Sequence, residues 1–174
     1  MSTALMPEFT EMDLDQEMPE FRIAIMFENA ELGASAMALC QRLMNKFSDH
    51  FIFRLTMESF AALENAATFD EAVTDAAKAD MILVAGTGRM PSALHCWCEQ
   101  FFAARKAHSP GIVVDMAPRS ASAAALHEYL RETAGTHHLD VISRDECTAA
   151  LQTTTSSSSC RARRRGIREW GINE

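Results

Sequence analysis

Short apolar runs and helix-like segments alternate along most of this chain. The apolar runs have the length and composition of buried strands, and they cover residues 21–27, 51–57, 81–85, 111–116 and 139–143. The segments between them carry apolar residues at helical spacing. They predict helices over about 34–47, 68–79, 91–106 and 122–134, with a short helical turn near 146–151. This alternation predicts a three-layer, doubly wound α/β domain whose parallel sheet is joined by right-handed crossovers.

The helical segments also indicate which of their faces are buried and where they begin. The predicted buried positions of the first, third and fourth helices are Met37, Cys40, Met44, Phe47, Leu94, Trp97, Cys98, Phe101, Phe102, Leu126, Tyr129 and Leu130. Thr68 and Glu71 have the spacing of a capping box, and Pro91 and Ser92 open the third helix. The apolar helix over 94–102 is also the candidate for a symmetric homodimer interface.

The two ends of the chain differ in charge from the predicted domain over 21–151. Residues 1–20 contain six acids and neither Lys nor Arg, and they predict a flexible acidic arm. Residues 152–174 form a Ser/Thr-rich linker followed by an Arg-rich tail, in which 161–174 carry five arginines and two acids. Three alternatives remain for the tail: it stays solvated, it binds an acidic partner or nucleic acid, or it docks through Trp170 and Ile172 on its own domain or on a neighbouring subunit.

Composition narrows the class of protein. The 174 residues are 48% hydrophobic and 23% charged, as in a single globular domain. The net charge of −8 argues against general nucleic-acid binding, which needs a basic surface. No apolar run approaches the roughly 20 residues of a membrane-spanning helix, and the acidic start does not have the pattern of a secretory signal. Five irregularly spaced cysteines are typical of reduced thiols in a cytoplasmic protein.

The segment over 79–97 carries a family resemblance. It has an Ala-Asp pair, a buried strand, a Gly-Thr-Gly turn, and a helix that follows Met90-Pro91 and contains Trp97. It resembles the third strand, loop and helix of the flavodoxin-like superfamily, especially its NAD(P)H-dependent FMN and quinone reductases. The resemblance extends over about 21–151 and implies a five-stranded sheet in the order 2-1-3-4-5. The whole chain also resembles a bacterial family without an assigned activity, whose members end in the Trp-Gly-Ile-Asn-Glu motif found here at 170–174.

In such a sheet, ligands bind beyond the carboxyl ends of the strands, at the point where the strand order reverses. The loops after the first and third strands would meet at that crevice. The candidate residues for holding a cofactor or a small anionic ligand there are Asn29, Ser35, Gly86, Thr87, Gly88, Arg89 and Arg119. Thr87 and the Gly88 amide suit an oxygen or phosphate, and the two arginines suit an anion. Glu28 and Asp115 also fall at predicted strand ends.

The loop after the first strand separates two hypotheses about function. Flavodoxin-like proteins that hold FMN have a Ser/Thr-rich loop there, whereas this chain has Glu28-Asn-Ala-Glu-Leu-Gly-Ala-Ser35. Because carboxylates stand where a phosphate needs donors, the first hypothesis is a non-catalytic ligand- or protein-binding domain with a degenerate flavin loop. The Gly-Thr-Gly-Arg-Met-Pro sequence favours the alternative, an FMN-dependent NAD(P)H oxidoreductase whose flavin carries the chemistry. The sequence assigns no catalytic residue.

Other chemistries have no clear pattern in this chain. The third strand ends in Val-Ala-Gly, where a receiver domain carries its phosphorylated Asp. Residues two apart point to different sides of a helix, so Cys98 is expected in the core and Cys96 outside it. The histidines and cysteines lack metal-ligand spacing, and no Ser-His-Asp signature or phosphate loop is found. His95 follows the candidate loop, either as a proton donor or simply as a residue of the helix surface.

Overall fold

A computed structural model describes residues 18–105, 110–118 and 124–153. In these residues, strands and α-helices alternate. The strands are β1 (Glu20–Phe27), β2 (Ile52–Ser59), β3 (Met81–Ala85), β4 (Ile112–Asp115) and β5 (Asp140–Ser143). The helices are α1 (Ala30–Phe47), α2 (Ala66–Lys78), α3 (Ser92–Ala104), α4 (Ala124–Thr136) and α5 (Arg144–Thr153), with a 3-10 helix over Phe60–Glu64.

The five strands form one parallel sheet in the order β2-β1-β3-β4-β5, which confirms the predicted order. Phe27 at the end of β1 is level with Ala85 at the end of β3. Asp115 at the end of β4 is level with Val84 and with Ser143 at the end of β5. The loops that follow β1, β3 and β4 therefore leave from one edge of the sheet, and the strand order reverses between β1 and β3.

Helices cover both faces of the sheet, and each face has its own apolar layer. Ala24 and Met26 of β1 belong to the layer that contains the buried residues of α2, α3 and α4. Ile23 and Ile25 belong to the layer that contains the buried residues of α1. β3 is buried along its whole length, because it lies between two neighbouring strands and between both helical layers.

α1 begins at Ala30, although the sequence predicted a loop as far as residue 33. Asn29 caps this helix: its side-chain oxygen accepts a hydrogen bond from the Leu32 N–H at 3.0 Å. The Asn29 carbonyl accepts another from the Gly33 N–H at 2.9 Å. Since an N-cap asparagine satisfies the free amides of the first turn, the helix starts directly behind it. The connection between β1 and α1 is therefore only Glu28 and Asn29.

Helix caps and buried faces differ from the prediction at two other points. Asn65, not Thr68, caps α2, and its side chain accepts from the N–H groups of Ala67 and Thr68 at 3.0 and 3.3 Å. Thr68 is thus inside the helix, and the predicted capping box is wrong. The predicted stripe of α1 is also shifted, because Met37, Met44 and Phe47 are only partly buried. The buried residues of α1 are Gly33, Ala36, Leu39, Cys40 and Leu43.

The aromatic face of α3 is buried as predicted. Leu94, Trp97, Cys98 and Phe101 have no exposed surface, and Phe102 is 1% exposed. These side chains pack in the layer shared with α2 and α4, which leaves none of them accessible to a second subunit. These buried side chains are not available for the homodimer interface predicted over 94–102, and that interface stays a prediction. On α4, the two leucines predicted to be buried are buried, and the tyrosine is partly buried.

The charged ends of the chain lie mostly outside the described residues. β1 begins at Glu20 and α5 ends at Thr153, so these elements reach slightly into the segments predicted as arm and linker. Residues 1–17 and 154–174, with Trp170 and Ile172, lie outside the described residues, as does Arg119. None of the described helices is long and apolar enough to cross a membrane.

Candidate functional site

The carboxyl ends of β1 and β3 bring most of the predicted site residues together. The Glu28 N–H donates to the Ala85 carbonyl at 2.9 Å, which extends the pairing of the two strands by one residue. Glu28 and Asn29 therefore lie beside the turn formed by residues 86–89. We call this place, between the 28–29 connection and the 86–89 turn, the crevice. It coincides with the reversal of strand order, where the sequence predicted it.

Glu28 holds the crevice together through Thr87. One carboxylate oxygen, Oε2, accepts a hydrogen bond from the Thr87 backbone N–H at 2.5 Å and another from the Thr87 hydroxyl at 2.7 Å. Charge-assisted hydrogen bonds of this kind are stronger than those between neutral groups. Both hydrogen-bond donors of Thr87, a residue that the sequence offered to a phosphate, are thus bonded to a carboxylate of the chain itself.

The turn over 86–89 owes its shape to its two glycines. Gly88 has a φ of 103°, a backbone conformation that residues with a side chain rarely adopt. Gly86 is buried, and a Cβ at this position would lie 3.2 Å from the Phe60 ring and 3.5 Å from the Leu126 side chain. Phe60 of the 3-10 helix and Leu126 of α4 therefore cover this side of the turn. Arg89 has an exposed side chain.

The remaining predicted residues contribute less to the crevice than the sequence indicated. Asn29 uses its side-chain oxygen to cap α1. Ser35 is the sixth residue of α1 and lies more than one turn beyond the start of that helix, because α1 begins earlier than predicted. The first turn of α1 also contains Glu31, a second acid close to Glu28. The described part of the crevice is therefore acidic on the β1 side.

A carboxylate–imidazole pair follows β4 on the same edge of the sheet. Asp115 Oδ2 lies 2.8 Å from His127 Nδ1, and Asp115 Oδ1 accepts from the Ala117 N–H at 2.9 Å. The Asp115 side chain is 5% exposed and that of His127 is 37% exposed. The buried carboxylate thus orients a partly accessible imidazole, which is the relation found between an orienting acid and a working histidine.

The sequence pointed to Asp115 but not to His127. The position of Asp115 at a strand end was visible in the apolar pattern, whereas its partner is contributed by α4, 12 residues further along the chain. Only the packing of α4 beside β4 brings the two together. A polar residue in the first turns of a helix that follows a strand-end acid is the signal that would have suggested the pair.

Other titratable groups near the crevice have ordinary structural partners. His95 Nδ1 lies 3.5 Å from Glu99 Oε2, one turn along α3, and the His95 ring lies 5.0 Å from that of Tyr129. Cys98 is buried and Cys96 is exposed, as predicted. Burial raises the pKa of the Cys98 thiol, which keeps it protonated and unreactive. Among the described residues, no group of three His, Cys, Asp or Glu side chains is arranged to hold a metal ion.

The strand order, the helices on both faces and the position of the crevice together identify the architecture. The fold is flavodoxin-like. In this fold the order 2-1-3-4-5 places the reversal between the first and third strands. The fold is compatible with many unrelated activities, so the chemistry has to be argued from the residues of the crevice.

Solved structures with a similar course of the chain include an oxidoreductase from Corynebacterium diphtheriae. It is 13% identical, with a TM-score of 0.49, and the likeness covers 71% of this chain and 78% of that one. A second is a short-chain flavodoxin associated with a non-canonical PDU bacterial microcompartment. It is 12% identical, with a TM-score of 0.49, and the likeness covers 80% of this chain and 100% of that one. Likenesses of this strength carry nothing about chemistry. No protein-family model matches the sequence, and no curated protein matches it either.

Proposed function

We propose that this protein is a non-catalytic binding domain with a flavodoxin-like fold, in which the position of a flavin phosphate is taken by Glu28. The observation that carries the proposal is the pair of hydrogen bonds from Thr87 to the Glu28 carboxylate. A phosphate at this place would have to displace that carboxylate. It would also lie next to the negative charge of Glu31.

The short connection between β1 and α1 supports the same proposal. A loop that wraps a phosphate needs several backbone N–H groups and hydroxyls that point inward. Here the connection has two residues, and the side chain of Asn29 already caps the helix that follows. The connection between β1 and α1 therefore lacks the donors that would wrap an FMN phosphate.

The occupant that suits the crevice is a small ligand or a protein segment that offers both an anion and a hydrogen-bonding group. Arg89 provides an exposed guanidinium at the end of the turn. His127 presents an imidazole that Asp115 holds in one orientation. An occupant can contact Arg89 and His127 without breaking the hydrogen bonds between Glu28 and Thr87, so the crevice keeps its present shape.

The alternative function is an FMN-dependent NAD(P)H oxidoreductase. The left-handed Gly88 favours it, because a tight glycine turn at the end of the third strand lets a planar ligand approach the backbone. In that case Thr87 and the Gly88 amide would hold the flavin, and Arg89 would lie near its phosphate. The flavin would supply the redox chemistry.

A titration of the purified full-length chain with FMN, followed by flavin fluorescence, separates the two functions. The binding-domain proposal predicts a colourless protein that leaves FMN fluorescence unchanged. The variants Thr87→Ala and Thr74→Ala serve as a matched pair, because Thr74 is exposed on α2, remote from the crevice. Saturable quenching by the wild type that Thr87→Ala removes and Thr74→Ala retains would establish the flavin function and refute the proposal.

A further inference from the structure

One edge of the sheet remains available for pairing. β2 has β1 as its only neighbour among the described residues. The Ile52 N–H donates to the Pro19 carbonyl at 2.9 Å, so Ile52 directs its backbone groups toward the β1 side. Because backbone direction alternates along a strand, Arg54, Thr56 and Glu58 also bond toward β1. The odd-numbered residues Phe53, Leu55, Met57 and Ser59 therefore direct their N–H and C=O groups outward.

The amino-acid composition of β2 favours pairing with a further strand. β2 has eight residues without proline, and apolar and polar side chains alternate over its residues 53–58. The even-numbered side chains of Arg54 and Thr56 are exposed, and the odd-numbered Leu55 and Met57 are partly buried on the α1 side. A long, regular edge strand of this kind is a template for another strand unless it is blocked.

We propose that β2 pairs antiparallel with β2 of a second copy of this chain, around a two-fold axis that passes between the two Thr56 residues. This pairing would join two five-stranded sheets into one continuous sheet. A two-fold axis perpendicular to the sheet keeps the α1 face of both copies on the same side. The proposal is independent of the function of the crevice, which lies at another edge.

The charges of β2 select this register. With the axis at Thr56, Arg54 lies opposite Glu58 of the partner subunit, and the same contact occurs twice by symmetry. With the axis at Leu55, Arg54 would lie opposite Thr56 of the partner subunit. An axis at Arg54 or at Glu58 would place like charges against each other. Among these registers, only the axis at Thr56 joins opposite charges, which stabilises a cross-strand pair.

Backbone geometry agrees with the same register. The outward-facing groups of Leu55 would bond to those of the partner's Met57, and those of Phe53 to the partner's Ser59. The charged residues then fall in the non-hydrogen-bonded pairs, whose Cα atoms are about 4.5 Å apart and whose side chains are closest. Arg54 is free to take part, since its side chain is 67% exposed and bonds only at the surface, to Glu20 at 3.2 Å.

Disulfide cross-linking tests the register directly. Two Cys residues introduced by Thr56→Cys would face each other across the axis, within the Cα separation of about 4.4 to 6.8 Å that a disulfide needs. In the control Arg54→Cys, the two cysteines would be four residues apart along the strands, or about 13 Å. Both variants are made in the full chain with Cys96→Ser and Cys160→Ser. We expect a cross-linked dimer from Thr56→Cys and none from Arg54→Cys.

Charge exchange tests the contact that selects the register. Arg54→Glu alone and Glu58→Arg alone each place like charges in both symmetric pairs. Sedimentation equilibrium should show dimerisation weakened by about tenfold or more in each variant. An equimolar mixture of the two variants restores opposite charges in both pairs, so it should form the heterodimer. Glu71→Arg, which changes an exposed residue of α2 by the same charge, should leave dimerisation unchanged.

Each outcome of these experiments either supports or overturns the proposed dimer. Circular dichroism confirms that each variant is folded, which removes misfolding as a cause of lost dimers. A wild-type chain that stays monomeric up to millimolar concentration would overturn the proposal. A dimer that cross-links through Arg54→Cys, or that is insensitive to both charge exchanges, would overturn it too. Restoration of dimers only in the mixture would support this pairing, whether or not FMN binds elsewhere.

Discussion

Replacement of Arg105 by Met should destabilise the fold more than any exposed arginine replacement. Arg105 is 9% exposed and ends α3. Its Nη1 donates to the Ala79 carbonyl at 2.7 Å and to the Ala76 carbonyl at 3.3 Å, and its Nη2 donates to the Pro110 carbonyl at 2.8 Å. One guanidinium thus joins the end of α2, the end of α3 and the entry to β4.

The magnitude follows from the two short bonds. Each hydrogen bond to a charged group contributes about 1.5 to 3 kcal/mol. Burial lowers the pKa of Arg105, and the nearby charge of Asp80 opposes that shift. The cost of desolvating the guanidinium therefore offsets part of the stabilisation from its hydrogen bonds. Met keeps most of the apolar stem and leaves the Ala79 and Pro110 carbonyls without this donor. We therefore expect Arg105→Met to lower the free energy of unfolding by about 3 kcal/mol.

Urea unfolding of the variant against the wild type measures this loss, and a thermal midpoint lower by roughly 6 to 12 °C should accompany it. Arg131→Met is the matched control, because Arg131 is exposed on α4 and such replacements usually change stability by less than about 0.5 kcal/mol. If Arg105→Met were as mild as Arg131→Met, the guanidinium would not join these elements in solution, and the reasoning would be refuted.

Three further predictions rest on the backbone and the thiols. Gly88→Ala should lower the free energy of unfolding in urea by about 1 to 3 kcal/mol, because Gly88 has a φ of 103°. Gly135→Ala should raise it by up to about 1 kcal/mol, because Gly135 is helical and a Cβ there would lie in open space. Equal effects of the two substitutions would contradict the turn geometry. Of the described cysteines only Cys96 is exposed, so native-state alkylation followed by peptide mass spectrometry should find it modified and the other three protected. Burial raises the pKa of Cys40 to about 12 and that of Cys147 to about 11. The thiols of the unfolded chain ionise near pH 8.5, so above that pH the unfolded chain binds fewer protons than the folded one. The contribution of these two thiols to the free energy of unfolding is therefore complete below about pH 8.5, and it is lost as the pH rises toward 11 to 12. Unfolding measured from pH 8 upward should show that decline, with a shallower slope in Cys40→Ala, and an unchanged slope would argue against burial of that thiol.

The sheet was predictable because its signals are local and strong. β3 is a continuous apolar run that ends in small residues, and it coincides with the predicted strand. The aromatic face of α3 was also readable from spacing alone, since large side chains at helical intervals rarely have another place to pack. The strand order came from the resemblance rather than from the pattern, and the observed pairing agrees with it.

Helix starts were less predictable because several residues compete for the same role. Asn65 and Thr68 are both capping residues, and the side chain of Asn65 reaches the two amides that decide the start of α2. At α1, Asn29 was read as part of a loop because no apolar periodicity is visible in the turn that follows it. Because of that error, the sequence prediction placed Ser35 at the crevice, whereas in the structure it lies beyond the first turn of α1.

The contacts of the crevice depend on chain segments far apart in the sequence. Glu28 bonds to Thr87, and Asp115 to His127, only because β1 lies beside β3 and α4 beside β4. The sequence indicated that acids stand where a phosphate needs donors. It did not reveal that Glu28 would bond to Thr87, one of the residues proposed to hold the ligand.

The most direct test of the central proposal is the amide NMR spectrum of the full-length chain, with the signals of residues 86–89 assigned, recorded with and without excess FMN. If Glu28 occupies the donors of Thr87, the Thr87 amide signal moves in Glu28→Gln and does not respond to FMN in the wild type. Saturable shifts of the Thr87 and Gly88 amides on addition of FMN to the wild type would contradict the account, because they would show that the flavin displaces the carboxylate.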